Sequence, residues 1–305
     1  MREEVFLILP ERLKIAIKNI GGSSTITEIR LRAFKKVIVL LGTQEVELEV
    51  IITLEEILQI LVTVSKNSIY AIQQDINNGF IVIPGGHRIG VCGEVVTQDS
   101  KIKNIKNINS MNIRIARQVI GCADVVMQHI LNNGRIRNTL IISPPGCGKT
   151  TLLRDIVRLV SDGNDMHPGI SVGVVDERSE IGACYLGIPQ NDVGMRTDVL
   201  DCCPKAEGML MMIRSMSPVV IAVDEIGKWE DIEALEYVMN CGCQIIATVH
   251  GSSIEDIKNK PILRKLVEEK MFKRFIVLAG GNVPGQIETI FDERGSVLFA
   301  NKLLA

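Results

Sequence analysis

Residues 139–154 read Thr-Leu-Ile-Ile-Ser-Pro-Pro-Gly-Cys-Gly-Lys-Thr-Thr-Leu-Leu-Arg. An apolar run ends in a Pro/Gly turn, and Gly148-Lys149-Thr150-Thr151 then opens a helix on Leu152, Leu153 and Ile156. This strand–turn–helix pattern is that of a phosphate-binding loop. Gly146 and Gly148 accept positive φ without steric cost, so backbone amides turn inward toward an anion. The helix that starts near Lys149 adds free N–H groups and the positive end of its dipole. Pro145, Gly146, Cys147, Gly148, Lys149, Thr150 and Thr151 are therefore expected to cradle the phosphates of a nucleotide. Lys149 is expected to reach the β- and γ-phosphates of ATP, and Thr150 to coordinate Mg2+. The pattern departs from its usual form at Ser143, where a glycine is ordinary; serine is small and the phosphate-facing turn lies downstream, so binding is expected to survive.

The chain has 305 residues, enough for about two domains with buried cores. Ile, Val and Leu dominate while aromatics are scarce, with Trp229, three Tyr and seven Phe. That balance favours parallel strands between helices over a β-sandwich. A net charge of −2 carries no nucleic-acid footprint. No Cys-x-x-Cys pair occurs among the eight cysteines, and neither Cys202-Cys203 nor Cys241-Gly-Cys243 has the spacing of a structural zinc site. The N-terminal Met-Arg-Glu-Glu-Val-Phe-Leu is too polar for a signal peptide, so reduced thiols in the cytoplasm are expected. The longest apolar runs, such as 219–223, fall far short of the roughly 20 residues that span a bilayer. No membrane insertion is expected; a membrane role would come through a partner.

Two domains are expected, an α+β domain over 1–117 and a phosphate-loop domain over 118–305. In the first, helical spacing runs over 1–20 to Gly21-Gly22-Ser23-Ser24, and strands are expected at 26–31 and 37–41. A helix follows at 53–63 with Thr53 as cap and Glu56 three residues on. A second helix carrying Tyr70, Ile72 and Ile76 leads through Asn77-Asn78-Gly79 to strands at 80–83 and 87–96. Residues 101–110, Lys-Ile-Lys-Asn-Ile-Lys-Asn-Ile-Asn-Ser, read as a hairpin tip or linker with solvated lysines, or as a basic loop facing a ring pore or an acidic partner. A strand at 111–116 and a helix at 122–132 lead into the second domain. There, five apolar segments at 139–142, 171–175, 219–223, 244–248 and 275–278 have the make-up of central parallel strands.

The strand at 219–223 ends in Asp224-Glu225. Asp224 is expected to hold Mg2+, since hard cations prefer carboxylate oxygen. Glu225 is placed to orient and deprotonate an attacking water. This adjacent acid favours hydrolysis and implies a strand between the phosphate-loop strand and the Asp-Glu strand, a place assigned to 171–175. That strand ends in Asp176-Glu177-Arg178, with Glu177 a second polariser of the water or the metal shell, or a member of a capping cluster with Arg178 and Glu180. Thr248 and His250 share a side at another strand end, where either would sense the γ-phosphate. Arg154, Arg178, Arg196 and Arg214 compete as the charge-neutralising finger supplied in trans; Arg196 is preferred.

These residues carry a resemblance. The runs 143–155, 175–183, 194–198 and 223–227, with Gly86-His-Arg-Ile-Gly-Val-Cys-Gly93 and Ile113-Arg-Ile-Ala-Arg117, resemble the stage III sporulation protein AA family of endospore-forming bacteria. That family is similar to the ATPases that power type II and type IV secretion. The resemblance implies an α/β fold: a C-terminal P-loop NTPase of the RecA/AAA+-like kind with a mainly parallel wound sheet, behind a smaller N-terminal domain for assembly and partner contacts. It also implies a cytosolic homo-oligomeric ring, a hexamer, docked on the mother-cell side through membrane-embedded channel subunits. Thr248 and His250 would correspond to the histidine box of secretion ATPases, and Asp176 and Glu177 to their acidic box. Two other functions stay open from the residues alone. One is a nucleic-acid-stimulated ATPase using Lys101–Lys106, Arg114 and Arg117; the other is a nucleotide-gated scaffold with little turnover.

Overall fold

A computed structural model describes residues 3–21, 25–42, 44–65, 72–77, 79–98, 101–164, 167–280 and 285–301. The chain separates into two units, Met1–Arg117 with Ala183–Gln190, and Gln118–Gly182 with Asn191–Ala305. Residues 183–190, left in the second domain by the sequence reading, thus cluster with the first unit. Gln190 explains part of this, because its side-chain oxygen accepts the Gly85 N–H at 2.9 Å.

In the first unit, Pro10 divides the helix expected over 1–20 into α1 (Glu3–Ile8) and α2 (Glu11–Asn19). Proline has no N–H for the helical ladder and restrains the residue before it; here it stands as the N-cap of α2. β1 (Ile26–Arg32), β2 (Lys36–Leu41), β3 (Gln44–Ile51), α3 (Leu54–Val64), α4 (Gln73–Asn77), β4 (Phe80–Ile83), β5 (His87–Gln98) and β6 (Lys101–Arg114) follow. The expected Tyr70, Gly22–Ser24 and Asn78 lie outside the described residues. The strands form a six-stranded sheet in the order β3-β2-β1-β6-β5-β4, antiparallel throughout. Alternation sends Ile29, Leu31, Ile89, Val91, Met111 and Ile113 to one core with Leu13, Ile17, Ile57 and Ile60 from the helices.

One expectation changes in this unit and one holds. Residues 101–110 are neither linker nor free loop but most of β6, the second arm of a hairpin laddered to β5 from Gln98↔Lys101 to Arg88↔Arg114. Lys106 pairs with Glu94 at 3.0 Å, so that charge is met across the hairpin. The Thr53–Glu56 capping box is present, Thr53 Oγ1 accepting the Glu56 N–H at 3.2 Å and Glu56 accepting the Thr53 N–H at 2.9 Å. Thr53→Ala is expected to lower stability by about 1 kcal/mol, read as a shift in the urea midpoint.

The second unit holds α5 (Asp124–Ile130), a short ladder of β7 (Leu131–Asn132) and β8 (Arg135–Ile136), β9 (Thr139–Ser143) and α6 (Lys149–Asp162). Next come a short ladder of β10 (Gly163–Asn164) and β11 (His167–Pro168), β12 (Val172–Asp176), β13 (Thr197–Asp201), α7 (Lys205–Ser215), β14 (Val220–Val223), α8 (Trp229–Asn240) and β15 (Gln244–His250). The unit closes with α9 (Ile254–Asn259), α10 (Arg264–Glu268), β16 (Arg274–Leu278), β17 (Ile287–Asp292) and β18 (Val297–Ala300). An eight-stranded sheet runs β13-β12-β14-β15-β9-β16-β17-β18. From β13 to β16 every pairing is parallel, and β17 and β18 add an antiparallel edge.

All five apolar segments read from the sequence are central strands of this sheet, and every residue of β9, β12, β14 and β16 is buried. Leu140, Ile142, Ile221 and Val223 face a core with Met209, Leu235 and Leu266. Ile141, Val220 and Ala222 face the other, with Val126, Leu152 and Ile156. Helices therefore cover both faces, as a buried parallel sheet requires. One placement is corrected. The strand between β9 and β14 is β15, whereas β12 lies on the far side of β14. Neighbours in a parallel sheet are set by where each crossover helix packs, not by chain order.

Candidate functional site

Because β9, β12, β14 and β15 run parallel, Ser143, Asp176, Val223 and His250 end at one edge, where open α/β sheets bind ligands. The phosphate loop leaves β9 there. Gly146 has φ 77° and Gly148 φ 87°, the latter as left-handed N-cap of α6. Any side chain at these two positions would be strained. Ser143 is the last residue of β9 with no positive φ, and its carbonyl accepts the Gly251 N–H at 3.1 Å. A glycine is not required by that backbone. Cys147 is buried, its sulfur on the Pro145 carbonyl at 3.6 Å and its own carbonyl accepting the Gly285 N–H at 2.7 Å. Thr151 lies in the first turn of α6, its carbonyl 3.9 Å from the Cys122 sulfur.

Lys149 and Thr150, the first two residues of α6, meet the second half of the site across the sheet edge. Thr150 Oγ1 donates to Asp224 Oδ2 at 2.6 Å. Lys149 Nζ pairs with Glu225 Oε1 at 2.8 Å and lies 3.4 Å from His250 Nε2. His250 Nε2 is in turn 2.9 Å from the same Glu225 oxygen, and Arg178 Nη1 is 3.1 Å from the other. Burial drives the Glu225 carboxyl upward, but the Lys149 hydrogen bond and the charges of Lys149, Arg178 and His250 outweigh it and hold it below the usual range. Thr248 is fully buried; its hydroxyl donates to Asp224 Oδ1 and accepts the Glu225 N–H.

The acidic pair on β12 divides. Asp176 turns inward, Oδ1 accepting the Glu180 N–H at 2.8 Å and Oδ2 those of Ile181 and Gly182 at 2.8 and 2.9 Å. Arg154, buried in α6, donates to the carbonyls of Glu180 and Ile181. The two side chains clamp the turn that presents Arg178. Asp176 thus serves the backbone of that turn. Arg154, one of the four finger candidates, thus serves backbone carbonyls within its own chain. Glu177 is held at 2.6 Å by the buried Lys205, which lowers its pKa. It does border a cavity of about 10 Å³ with Arg178, Lys205, Asp224 and Glu225, room for about one water. Lys205 carried no signal in the sequence.

Arg196, expected as a finger supplied in trans, lies away from this chain's own phosphate loop. Its guanidinium donates to the carbonyls of Ser161 and Asp162 at 3.1 and 3.4 Å, completing the C-terminus of α6 where a cation suits the dipole. α6 has 14 residues, so that end lies roughly 20 Å from the phosphate loop. Within this chain Arg178, not Arg196, is the arginine at the Glu225 carboxylate. Arg214 is exposed in the last turn of α7.

Burial pushes the Asp176 carboxyl up to about 6 from 3.8, against the three N–H donors that pull it down. The folded chain therefore binds this proton more tightly than the unfolded chain. The stability so contributed is full below pH 4 and lost as pH rises through 6, about 3 kcal/mol in all at about 1.4 kcal/mol per unit. Asp176→Asn sets an amide NH2 against backbone donors and is expected to destabilise by about 1–3 kcal/mol at pH 7.5. At pH 4 the penalty should be larger by up to that 3 kcal/mol. Urea midpoints at the two pH values check this; an equal penalty at both would refute it.

Mg2+ takes six oxygens and keeps most of them as water or phosphate, with one or two from protein. Thr150 Oγ1 and Asp224 Oδ2 converge as such a pair of hard donors. Among the described residues no group of three or more His, Cys, Asp or Glu could hold a metal ion.

The model of the family described as sporulation stage III, protein AA matches residues 1–298. The stage III sporulation protein AA of Bacillus subtilis (strain 168) is 43% identical over 297 residues, covering 97% of this chain and 96% of that protein. Among solved structures, the Legionella pneumophila ATPase DotB superposes with a TM-score of 0.60 at 14% identity, over 88% of this chain and 76% of that one. The pilus retraction motor PilT, solved with bound ADP, gives 0.57 at 15% identity over 87% and 76%. At such identities the likeness is one of fold, a mixed α/β architecture that those proteins share.

Proposed function

The chain belongs to the family of sporulation stage III protein AA, and from that premise we propose that it is a Mg2+-dependent ATPase. We further propose that it works as a ring of its own copies, a hexamer, in a secretion-like channel complex between mother cell and forespore. The meeting of Lys149, Thr150, Asp224, Glu225 and His250 at one sheet edge carries this reading. Entering phosphates take Lys149 away from Glu225, and the loop amides and the α6 dipole hold their charge. Glu225, no longer bonded to Lys149, becomes the stronger base. It accepts a proton from a water whose oxygen bonds to the γ-phosphorus while the bond to the β–γ bridging oxygen breaks, leaving ADP and phosphate. Mg2+, held by Thr150 and Asp224, supplies charge neutralisation on the phosphates. Arg178 keeps the Glu225 carboxylate aimed, and His250 is placed to report which phosphate Lys149 holds.

No helix among the described residues is long and apolar enough to cross a membrane. Placement in the mother-cell cytoplasm, against membrane-embedded channel subunits contacted by the first unit, is part of the proposal. The deciding experiment follows phosphate release and particle mass together, with and without ATP. Turnover is expected to require Mg2+, to stop with chelator and to rise per subunit as the chain assembles. Asp224→Asn is expected to raise the Mg2+ needed. ATP bound without phosphate release in a single-turnover assay would replace the motor with a nucleotide-gated scaffold. Stimulation by DNA or RNA that weakens steeply with salt would make it a nucleic-acid ATPase.

A further inference from the structure

Thr248 sits one residue past the point where the β14–β15 ladder stops, at Val223↔Ala247. There the chain turns sharply, because Glu225 has φ 53°, a left-handed conformation that costs a non-glycine residue about 1–2 kcal/mol. Three bonds from Thr248 hold the turn. Its hydroxyl donates to Asp224 Oδ1, the same oxygen accepts the Glu225 N–H at 2.9 Å, and its carbonyl accepts the Ile226 N–H at 2.8 Å. The other Asp224 oxygen belongs to Thr150. One hydroxyl, wholly buried, therefore joins the carboxylate that faces the metal position to the backbone of the residue that faces the water. Its donor and acceptor capacities are both used, and branching at Cβ restricts the rotamer that aims it.

We propose that Thr248 is a positioning residue: its hydroxyl locks the Asp224 carboxylate and the turned Glu225 backbone into one frame, so that Mg2+ binding and the placing of the base stand or fall together. The proposal rests on the ATPase reading. Valine has the shape of threonine without the hydroxyl, and it leaves the Ile226 bond to the Thr248 carbonyl possible. Serine keeps the hydroxyl but not the rotamer restraint.

The test compares Thr248→Val and Thr248→Ser with the wild-type chain by hydrogen exchange, by Mg2+-dependent binding of a fluorescent ATP analogue and by single-turnover hydrolysis. In Thr248→Val the Glu225 amide is expected to exchange at least about tenfold faster while that of Ile226 stays protected. The Mg2+ half-saturation for analogue binding should rise several-fold, and turnover should fall roughly 100-fold, the cost of about 1 Å of misplacement. Thr248→Ser should recover most of each. Retained Glu225 protection and unchanged Mg2+ half-saturation in Thr248→Val would overturn the proposal, as would equal losses in the serine variant. Loss of Ile226 protection together with that of Glu225 would mean general unfolding of the turn and would also count against it. A wild-type chain that releases no phosphate would defeat the ATPase reading alone, because exchange and Mg2+-dependent binding still decide the role of Thr248.

Discussion

Glu225→Gln is expected to slow single-turnover ATP hydrolysis by about 10²–10⁴-fold, the range a positioned general base contributes, while ATP binding tightens. The two effects have one cause. In the wild-type chain the Glu225 carboxylate pairs with the Lys149 ammonium at 2.8 Å, so entering phosphates must displace it. An amide keeps the size of the side chain but neither the charge nor the basicity. A partly buried ion pair of this kind contributes on the order of 1 kcal/mol, which corresponds to ATP binding several-fold tighter. Equilibrium binding and chemical quench on the same preparation would show both. Unchanged turnover in Glu225→Gln would remove Glu225 from the mechanism.

Lys149→Ala is expected to fail in the opposite way. Losing a charge-assisted donor to phosphate weakens ATP binding by about 1.5–3 kcal/mol. The loss of a positive charge where negative charge builds up on the γ-phosphate costs about 10²–10³-fold more in turnover at saturation. Glu225 also loses the partner that most lowers its pKa, leaving burial opposed only by Arg178 and His250. Its proton affinity in the nucleotide-free chain should therefore rise, and the acid limb of any residual kcat/KM, which reports the free enzyme, should move to higher pH. One variant that binds without hydrolysing, beside one that does neither, would separate the base from the phosphate anchor. Full binding by Lys149→Ala would place the nucleotide elsewhere.

Much of the second unit was legible as a chain. β9, β12, β14, β15 and β16 are runs of branched apolar residues with no polar face, which only a sheet covered on both sides accommodates. The unforeseen strands of the eight-stranded sheet are its edges: β13, β17 and β18 carry polar residues and partly exposed positions, so their alternation is weak. In the first unit, the Lys101–Ser110 part of β6 was obscured by its Lys and Asn content, yet the ladder to β5 needs only backbone groups. Arg178 and Arg196 show the same limit for the site. Both are single charges in loops, and which one reaches Glu225 depended on the turn clamped by Asp176 and Arg154.

What the sequence by itself determined is the local machinery. Gly146 and Gly148 permit the turn, Lys149 and Thr150 begin the helix, and Asp224-Glu225 end an apolar strand; each follows from the backbone preferences and chemistry of consecutive residues. What only the tertiary structure decided is which strands are neighbours. β15, not β12, lies between β9 and β14, and that order brings Thr248 onto Asp224 and His250 onto Glu225 while leaving Asp176 to a backbone turn. The reason is physical. A parallel strand reaches its place through a crossover packed on the sheet face, and that packing is settled by the whole core rather than by any residue near the site.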